Sequence, residues 1–434
     1  MNPRVSFETL GCKLNQYETD ALAAGFRDLG WILVEAGQSA EAVVINTCTV
    51  TNRADKKSRH AVKSQINSLK APIVVVTGCF AESARESLEG QHGITFVIPN
   101  GRKNQIPSLV DSYWRGSVPD TNLPEPDPFG FSVHSKTFHT RASLKIQDGC
   151  NNFCSFCIIP SVRGPAVSRS FTETVEAAQQ MLDSGRKEIV LTGVNMGKWQ
   201  YAEKNFTGLV EALLALDGDF RLRITSLEPE GMGETFASLF DHPKMAPHLH
   251  LCLQSGSDRL LQSMRRNYNL NQYASLIRVL RSKNPRLNLT TDLIVGYPGE
   301  TEEDFRCTMK AVEAFEFGYV HVFPYSQRQG TLASAMTSQV PEVVKNQRSR
   351  MLQELVRSQR IRAMEKLVGS QRRVLVETSN EELEHNHWRK GLTEDYFPVR
   401  FLGTTAWNEF AAVRLERVVH EGAVSSFEAV SSDI

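Results

Sequence analysis

The chain has no long apolar run, no net charge and few cysteines, and each of these shortages removes a class of protein. No segment approaches the roughly 18 consecutive apolar residues that a membrane-crossing helix requires. Forty-nine Lys and Arg balance 49 Asp and Glu. There is thus no global basic surplus of the kind that drives nucleic-acid binding by overall charge, and only a local patch can serve that purpose. The opening "MNPRVSFETLGC" lacks the charged-then-apolar profile of a secretory signal, so a cytoplasmic protein is expected. Eight cysteines in 434 residues are too sparse for a disulfide scaffold and point to metal or redox chemistry. Low-complexity tracts and fixed-period repeats are also missing, which excludes a solenoid.

The length predicts about three domains at roughly 150 residues each. In the first hundred residues, "VSFETLG", "WILVE", "AVVINTC", "APIVVVTGC" and "ITFVIP" alternate with polar, helix-compatible stretches. Buried β-branched runs in such alternation predict an open parallel α/β sheet. Residues 116–138 carry four prolines and read as a linker. From residue 143, six strand-like segments recur between helical stretches: "SLKIQD", "KEIVLTG", "FRLRITSL", "HLHLCLQ", "LNLTTDLIVG" and "YVHVFPYS". Six βα units predict a parallel sheet curled into a partial (βα)6 barrel, whose active rim lies just after the strands. Cys150, Asn195, Glu228, Gln254, Glu300 and Tyr325 fall at those positions. Residues 341–370 predict a long amphipathic helix with Val344, Met351, Leu355 and Ile361 on its apolar face. Residues 341–373 hold nine Lys/Arg against three Asp/Glu, a basic stretch that is either an RNA-tracking surface or a solvated face. The last sixty residues predict a small antiparallel β-barrel. The expected division is therefore 1–115, a linker at 116–138, 139–370 and 371–434.

"GCNNFCSFCIIP" places Cys150, Cys154 and Cys157 in one short loop after the first barrel strand. A structural zinc, like an ordinary electron-transfer cluster, wants four protein ligands. One reading is a zinc that borrows His134 or His139. The other is a 4Fe–4S cluster whose fourth iron is left for a small molecule. Cys12, Cys48 and Cys79 each follow a strand of the first sheet. Open α/β sheets bind ligands beyond such strand ends, so the three are candidates for a second cluster. Buried free thiols are the competing reading. Cys252 and Cys307 have no companions and read as packing residues.

The C-x3-C-x2-C loop, with Phe156 ahead of its last cysteine, resembles the signature of radical S-adenosylmethionine (SAM) proteins. That resemblance implies SAM on the free iron and a one-electron cleavage that yields a deoxyadenosyl radical. "LTGVN" then falls where such proteins hold the methionyl group, at Thr192, Gly193 and Asn195. "SLEPE" resembles the ribose segment, with Ser226 and Glu228, and "DLIVGYPGET" the adenine segment, with Val295 and Gly296.

Two three-cysteine sites, together with "TLGCKLNQYETD", "RGPAVSRS", "LQSGSDRLLQSMRRNY" and "VFPYSQRQGT", resemble the methylthiotransferases, and the terminal barrel resembles their RNA-binding TRAM domain. "KLNQYE" after Cys12 is most similar to the branch acting on N6-threonylcarbamoyladenosine beside the anticodon of tRNA. The resemblance implies two 4Fe–4S clusters, SAM and an exchange of the C2 hydrogen for SCH3. It also implies an anticodon loop as partner, a flavodoxin or ferredoxin as electron donor, and a monomer with no membrane attachment. Arg163, Arg169, Arg265 and Arg266 are candidates for substrate binding, against the reading of solvated loop and helix charges. The final domain is a departure, since residues 371–434 carry eleven Asp/Glu and seven Lys/Arg. RNA contact there would rest on Arg389, Lys390 and Arg400. The alternatives are the same chemistry on isopentenyladenosine or on a ribosomal-protein aspartate, and a non-catalytic iron–sulfur RNA-binding protein.

Overall fold

Five short apolar runs of the first hundred residues form one wholly parallel sheet. They are β1 (Arg4–Thr9), β2 (Ile32–Val34), β3 (Ala42–Thr47), β4 (Ile73–Gly78) and β5 (Phe96–Ile98), in the order β2-β1-β3-β4-β5. Every residue of β3 and β4 is buried, because helices cover both faces. Helix α1 (Lys13–Asp28) packs Tyr17, Leu22 and Phe26 against Val5, Val44 and Val75. Helix α2 (Asn52–Ser68) packs Ala61 and Val62 against the alternate residues Val43, Ile45, Val74 and Val76. The computed structural model describes residues 2–68, 72–117, 125–131, 140–377, 387–421 and 424–431. Most of the expected linker, and both His134 and His139, lie outside the described residues.

All six expected barrel strands form: Ala142–Lys145, Glu188–Thr192, Arg221–Ile224, His248–Leu251, Asn288–Val295 and Tyr319–Pro324. The first three pair in parallel. Beyond Thr225 the third segment changes partner, and Ser226–Leu227 pairs with the fourth strand instead. The fourth, fifth and sixth strands then continue the parallel ladder. Among the described residues, the first and sixth strands do not pair, so the barrel has an open side. Leu144, Leu191, Ile224, Leu251 and Leu293 belong to the large apolar core that supports the strands.

Helix Glu342–Glu365 follows, but its inward face is not the expected one. Lys345, Arg348, Ser349, Leu352, Val356 and Met364 are buried, while Met351 is exposed. Buried Glu300 supplies the reason: Arg348 Nη1 reaches its Oε2 at 2.7 Å, and a buried carboxylate needs a cation. Two of this helix's basic residues therefore face inward.

The C-terminal strands Gln371–Val376, Trp388–Thr393, Pro398–Leu402, Phe410–Glu421 and Val424–Ser431 close into a barrel around Val374, Phe397, Phe401, Val413 and Phe427. It is not purely antiparallel as expected, because Pro398–Leu402 pairs with Val424–Ser431 in parallel. The basic patch is smaller than expected. Arg389 is buried and donates Nε to the Thr405 carbonyl at 2.9 Å, and Arg400 pairs with Glu428 at 3.2 Å. Lys390 is exposed, directly opposite half-buried Arg400 on the neighbouring strand.

Candidate active site

The open side of the partial barrel faces the cysteine-bearing ends of β1, β3 and β4. Between them lies a cavity of about 990 Å³. Cys12, Cys48 and Cys79 line one wall, Thr192, Gly193, Ser226 and Cys252 the barrel wall, and Tyr396 and Phe397 of the C-terminal barrel a third.

The three N-terminal thiols arrive by backbone geometry. Cys12 stands at the N-cap position of α1 and is exposed. Cys48 is clamped by Ser58, whose Oγ accepts from the Cys48 N–H at 3.1 Å and donates to its carbonyl at 2.8 Å. Cys79 opens a short helix after Gly78, which has φ +99°. Gly11, at φ +103°, lies so close to Cys48 that a Cβ would come within 2.8 Å of its Sγ. Burial pushes the Cys48 thiol up to about 11, and Cys79 and Cys12 add to the rise. A thiol raised in this way marks a site short of positive charge, which a bound metal cluster would supply.

The second trio is built alike. Gly149, at φ +67°, sits where a Cβ would collide with the Pro165 carbonyl, which fixes the turn into Cys150. Cys157 N–H donates to the Cys154 carbonyl at 3.0 Å. Phe156 packs beside Met264, Ile294, Tyr297 and Tyr325, and Ser155 Oγ bonds to Tyr297 at 2.8 Å. Burial pushes Cys157 up to about 12, with Cys154 and Cys150 adding to it. Asn195 Nδ2 lies 3.8 Å from Cys150 Sγ, and its buried Oδ1 has no partner. Arg266 reaches Cys154 Sγ at 3.2 Å and pairs with Glu228.

The spacing of the sulfurs tests what they hold. Four ligands at zinc's roughly 2.3 Å bond length lie about 3.8 Å apart. Among the described residues, the one trio of ligand atoms lying within 4.8 Å of one another is His250, Cys252 and Asp292. Neither cysteine trio is that tight, so each fits a larger cluster better than a single zinc ion. Cys252, expected as packing, instead lines the cavity beside Asp292. Cys307 is half-buried on its helix, 3.9 Å from Glu303.

The remaining candidates separate by position. Thr192, Gly193 and Ser226 line the cavity. The Val295 side chain is buried in the barrel core, and a Cβ on Gly296 would meet Lys345, so that strand end can offer a ligand only its backbone. Arg265 is exposed, at φ +58°. Arg169 is buried, with Nε and Nη1 unpaired by hydrogen bonds. Arg163 is no solvated charge. Its fork binds Glu18 at 2.9 Å, Asp148 at 3.0 Å and Asn15 at 2.9 Å.

Two features escaped the sequence reading. Glu18 is fully buried and receives Lys103, Lys145 and Arg163 together. Burial alone would raise its carboxyl, but Arg163, Lys103 and Lys145 outweigh that and hold it well below its ordinary range. Gln147 accepts the Val194 and Asn195 N–H groups at 2.9 and 2.6 Å while donating to the Gly149 carbonyl at 2.8 Å. It thus ties the cysteine loop to the loop after the second strand. Its place at the end of the strand preceding the loop was the available signal.

A three-cysteine loop on the rim of a partial βα barrel is the arrangement of radical-SAM proteins, and residues 144–312 match the Radical SAM superfamily. Residues 4–99 match a family described only as "Uncharacterized protein family UPF0004". The chain is 38% identical over 408 residues to threonylcarbamoyladenosine tRNA methylthiotransferase MtaB of Bacillus subtilis, covering 92% of this chain and 90% of that one. It is 34% identical over 358 residues to tRNA-2-methylthio-N(6)-dimethylallyladenosine synthase of Cereibacter sphaeroides, covering 81% and 82%. In fold it resembles the radical SAM methyltransferase TsrM of Kitasatospora setae, with TM-score 0.57, 16% identity and 77% of each chain covered. The chain belongs to the radical-SAM methylthiotransferase family.

Proposed function

We propose that this chain places a methylthio group on C2 of N6-threonylcarbamoyladenosine in the anticodon loop of tRNA. The observation that carries the reading is a pair of three-cysteine sites, each one thiol short of the four that would close a cluster: Cys12, Cys48 and Cys79 line the cavity, and the Cys150 loop is tied to its Thr192–Gly193 wall through Gln147 and Asn195. The branch is supported by greater identity and coverage with the threonylcarbamoyladenosine enzyme than with the dimethylallyladenosine one.

Cys150, Cys154 and Cys157 would hold one 4Fe–4S cluster, and Cys12, Cys48 and Cys79 the other. When bound, these clusters and SAM supply radical hydrogen abstraction and a sulfur donor. The protein's own part is placement. Asn195, Thr192 and Gly193 receive the methionyl end of SAM, and Ser226 and Glu228 the ribose. The Val295–Gly296 backbone runs beside the base. Arg266 steadies Glu228 and the Cys154 sulfur, and Arg163 holds the two cysteine walls in register. Substrate contact falls to Arg265 and Arg169. The cavity excludes water from the reacting carbon. A base in a single-stranded loop can be splayed into it at modest cost.

The working units are residues 1–115, the linker 116–138, the SAM core 139–370 and the terminal TRAM domain 371–434. The protein acts in the cytoplasm as a monomer and draws electrons from a flavodoxin or ferredoxin. The test is nucleoside mass spectrometry of tRNA from cells lacking the gene. Loss of methylthiolated threonylcarbamoyladenosine, restored by the intact gene, is the expected result. An unchanged level, or loss of the isopentenyl product instead, overturns it.

A further inference from the structure

The cavity has a cationic end that the cluster chemistry does not use. Four basic side chains line it: Lys13, Arg163, Arg223 and Arg360. Arg163 is fully engaged by Glu18, Asp148 and Asn15. The other three gather around the loop that the C-terminal barrel inserts. Lys13 Nζ touches the Tyr396 hydroxyl at 3.0 Å, and the Arg223 guanidinium lies 4.4 Å from the Tyr396 ring centre. Arg360 lies 5.0 Å from the ring of Tyr319 and 5.9 Å from that of Phe397.

Negative charge does not match them. Glu188 is a single carboxylate shared by Arg221 and Arg223, and the buried Arg223 keeps an Nη1 without a partner. Among the described residues, Lys13 and Arg360 have no carboxylate partner, and Arg360 Nε is buried without a hydrogen bond. Burial pulls the Arg360 guanidinium below its ordinary value, the sign of a cation that lacks an anion. Asp292, a carboxylate of the lining, lies on the histidine side of the cavity, 3.3 Å from His250 Nε2. Burial would raise the Tyr396 hydroxyl, yet Lys13, Arg141 and Arg223 draw it down to about 8. Buried Arg223 shares its one carboxylate, half-buried Arg360 has none among the described residues, and exposed Lys13 stands beside them; a cation short of counter-charge away from water is costly, so this end of the cavity is poised for an anionic ligand.

We propose that this end of the cavity is a carboxylate pocket in which Arg360, Lys13 and Arg223 receive the threonyl carboxylate of the modified adenosine. The inference rests on the substrate reading above and adds the residues that select it. An isopentenyl group or a bare adenine brings no charge, so it would add no anion to these cations, and a site built for a polar group rejects such analogues strongly. The C-terminal barrel then contributes to substrate choice through Tyr396 and Phe397, independently of its net charge.

The test measures binding of the reconstituted holoenzyme, without oxygen, to three anticodon stem-loops. One carries threonylcarbamoyladenosine, one the same group with its carboxylate converted to an amide, and one plain adenosine. The intact protein should bind the carboxylate form about ten- to a hundredfold more tightly than the amide, the range for one charge-assisted hydrogen bond. Arg360→Gln and Lys13→Met should each lose most of that preference and bind the amide loop as before, with Arg360→Lys recovering part of it. Arg223 is left intact because it also neutralises Glu188. Full preference in both Arg360→Gln and Lys13→Met overturns the pocket. An intact protein that favours both modified loops over adenosine without separating acid from amide also overturns it, while leaving the substrate reading standing. No preference for either modified loop defeats both.

Discussion

Arg163 Nη1 lies 2.9 Å from Glu18 Oε1, and each residue stands six positions after a cysteine, Cys157 and Cys12 respectively. The pair therefore links the two candidate cluster walls directly. Lys103, Lys145 and Asp148 complete the buried group. A second tie runs from buried Arg328, beyond the sixth barrel strand, to Thr49 and Asp55 at 2.7 Å. Both ties fix the distance across which a sulfur and a substrate carbon must meet.

Arg163→Met should therefore destabilise the chain by about 3–5 kcal/mol, the usual result of leaving a buried charge without its partner. Chemical denaturation gives the number. The pH dependence follows from Glu18, whose folded carboxyl is held below its ordinary 4.5. A depressed carboxyl contributes stability that is complete above that value and fades as the pH falls beneath it. Arg163→Met should flatten this acid limb, and an unchanged acid limb would show that Glu18 is held by its lysines alone.

The two cysteine trios should separate in an iron count. The intact protein reconstituted without oxygen should carry about eight irons, two cubanes of four. Replacing Cys12, Cys48 and Cys79 together by Ala should leave about four irons with SAM cleavage intact and methylthio transfer abolished. Replacing Cys150, Cys154 and Cys157 should abolish both activities. Eight irons in the first variant would mean that the N-terminal thiols hold no cluster.

Gly11→Ala should act on the same site through shape alone. A Cβ there would lie 2.7 Å from Cys48 Cβ and 2.8 Å from its Sγ, on a backbone at φ +103°. Either Cys48 moves or the turn before α1 does, and both spoil the N-terminal trio. The expected outcome is loss of about half the iron with no change in SAM cleavage. Retention of all the iron would show that the turn can relax without moving the thiol.

These sites were legible because their signals are local. β3 and β4 announce themselves as unbroken β-branched runs, since a parallel strand buried on both faces needs no polar alternation. Cys48 and Cys79 then stand out by ending those runs. Glu18 and Arg163 were not legible, because 145 residues separate them and nothing in "QYETD" distinguishes a buried glutamate from a surface one. Lys345 and Arg348 misled for the same reason: a helix face that buries cations against Glu300 looks polar in sequence. The parallel pair in the terminal barrel was hidden because strand order is a long-range property that short alternating runs do not encode.

Tyr396 offers a spectroscopic handle on the cationic end of the cavity. Its hydroxyl is drawn to about 8 by Lys13, Arg141 and Arg223 despite a burial that opposes the shift. Ultraviolet titration should show one tyrosinate appearing near that pH, well before the others, and Tyr396→Phe should remove it. Because the folded value is depressed, this group's contribution to stability grows as the pH rises from about 8 toward the ordinary tyrosine value of 10. The same ionisation places a negative charge among the cations, so affinity for an anionic substrate should fall as the pH passes through about 8 in the intact protein. In Tyr396→Phe the fall should be absent, and if it persists unchanged, some group other than Tyr396 competes for those cations.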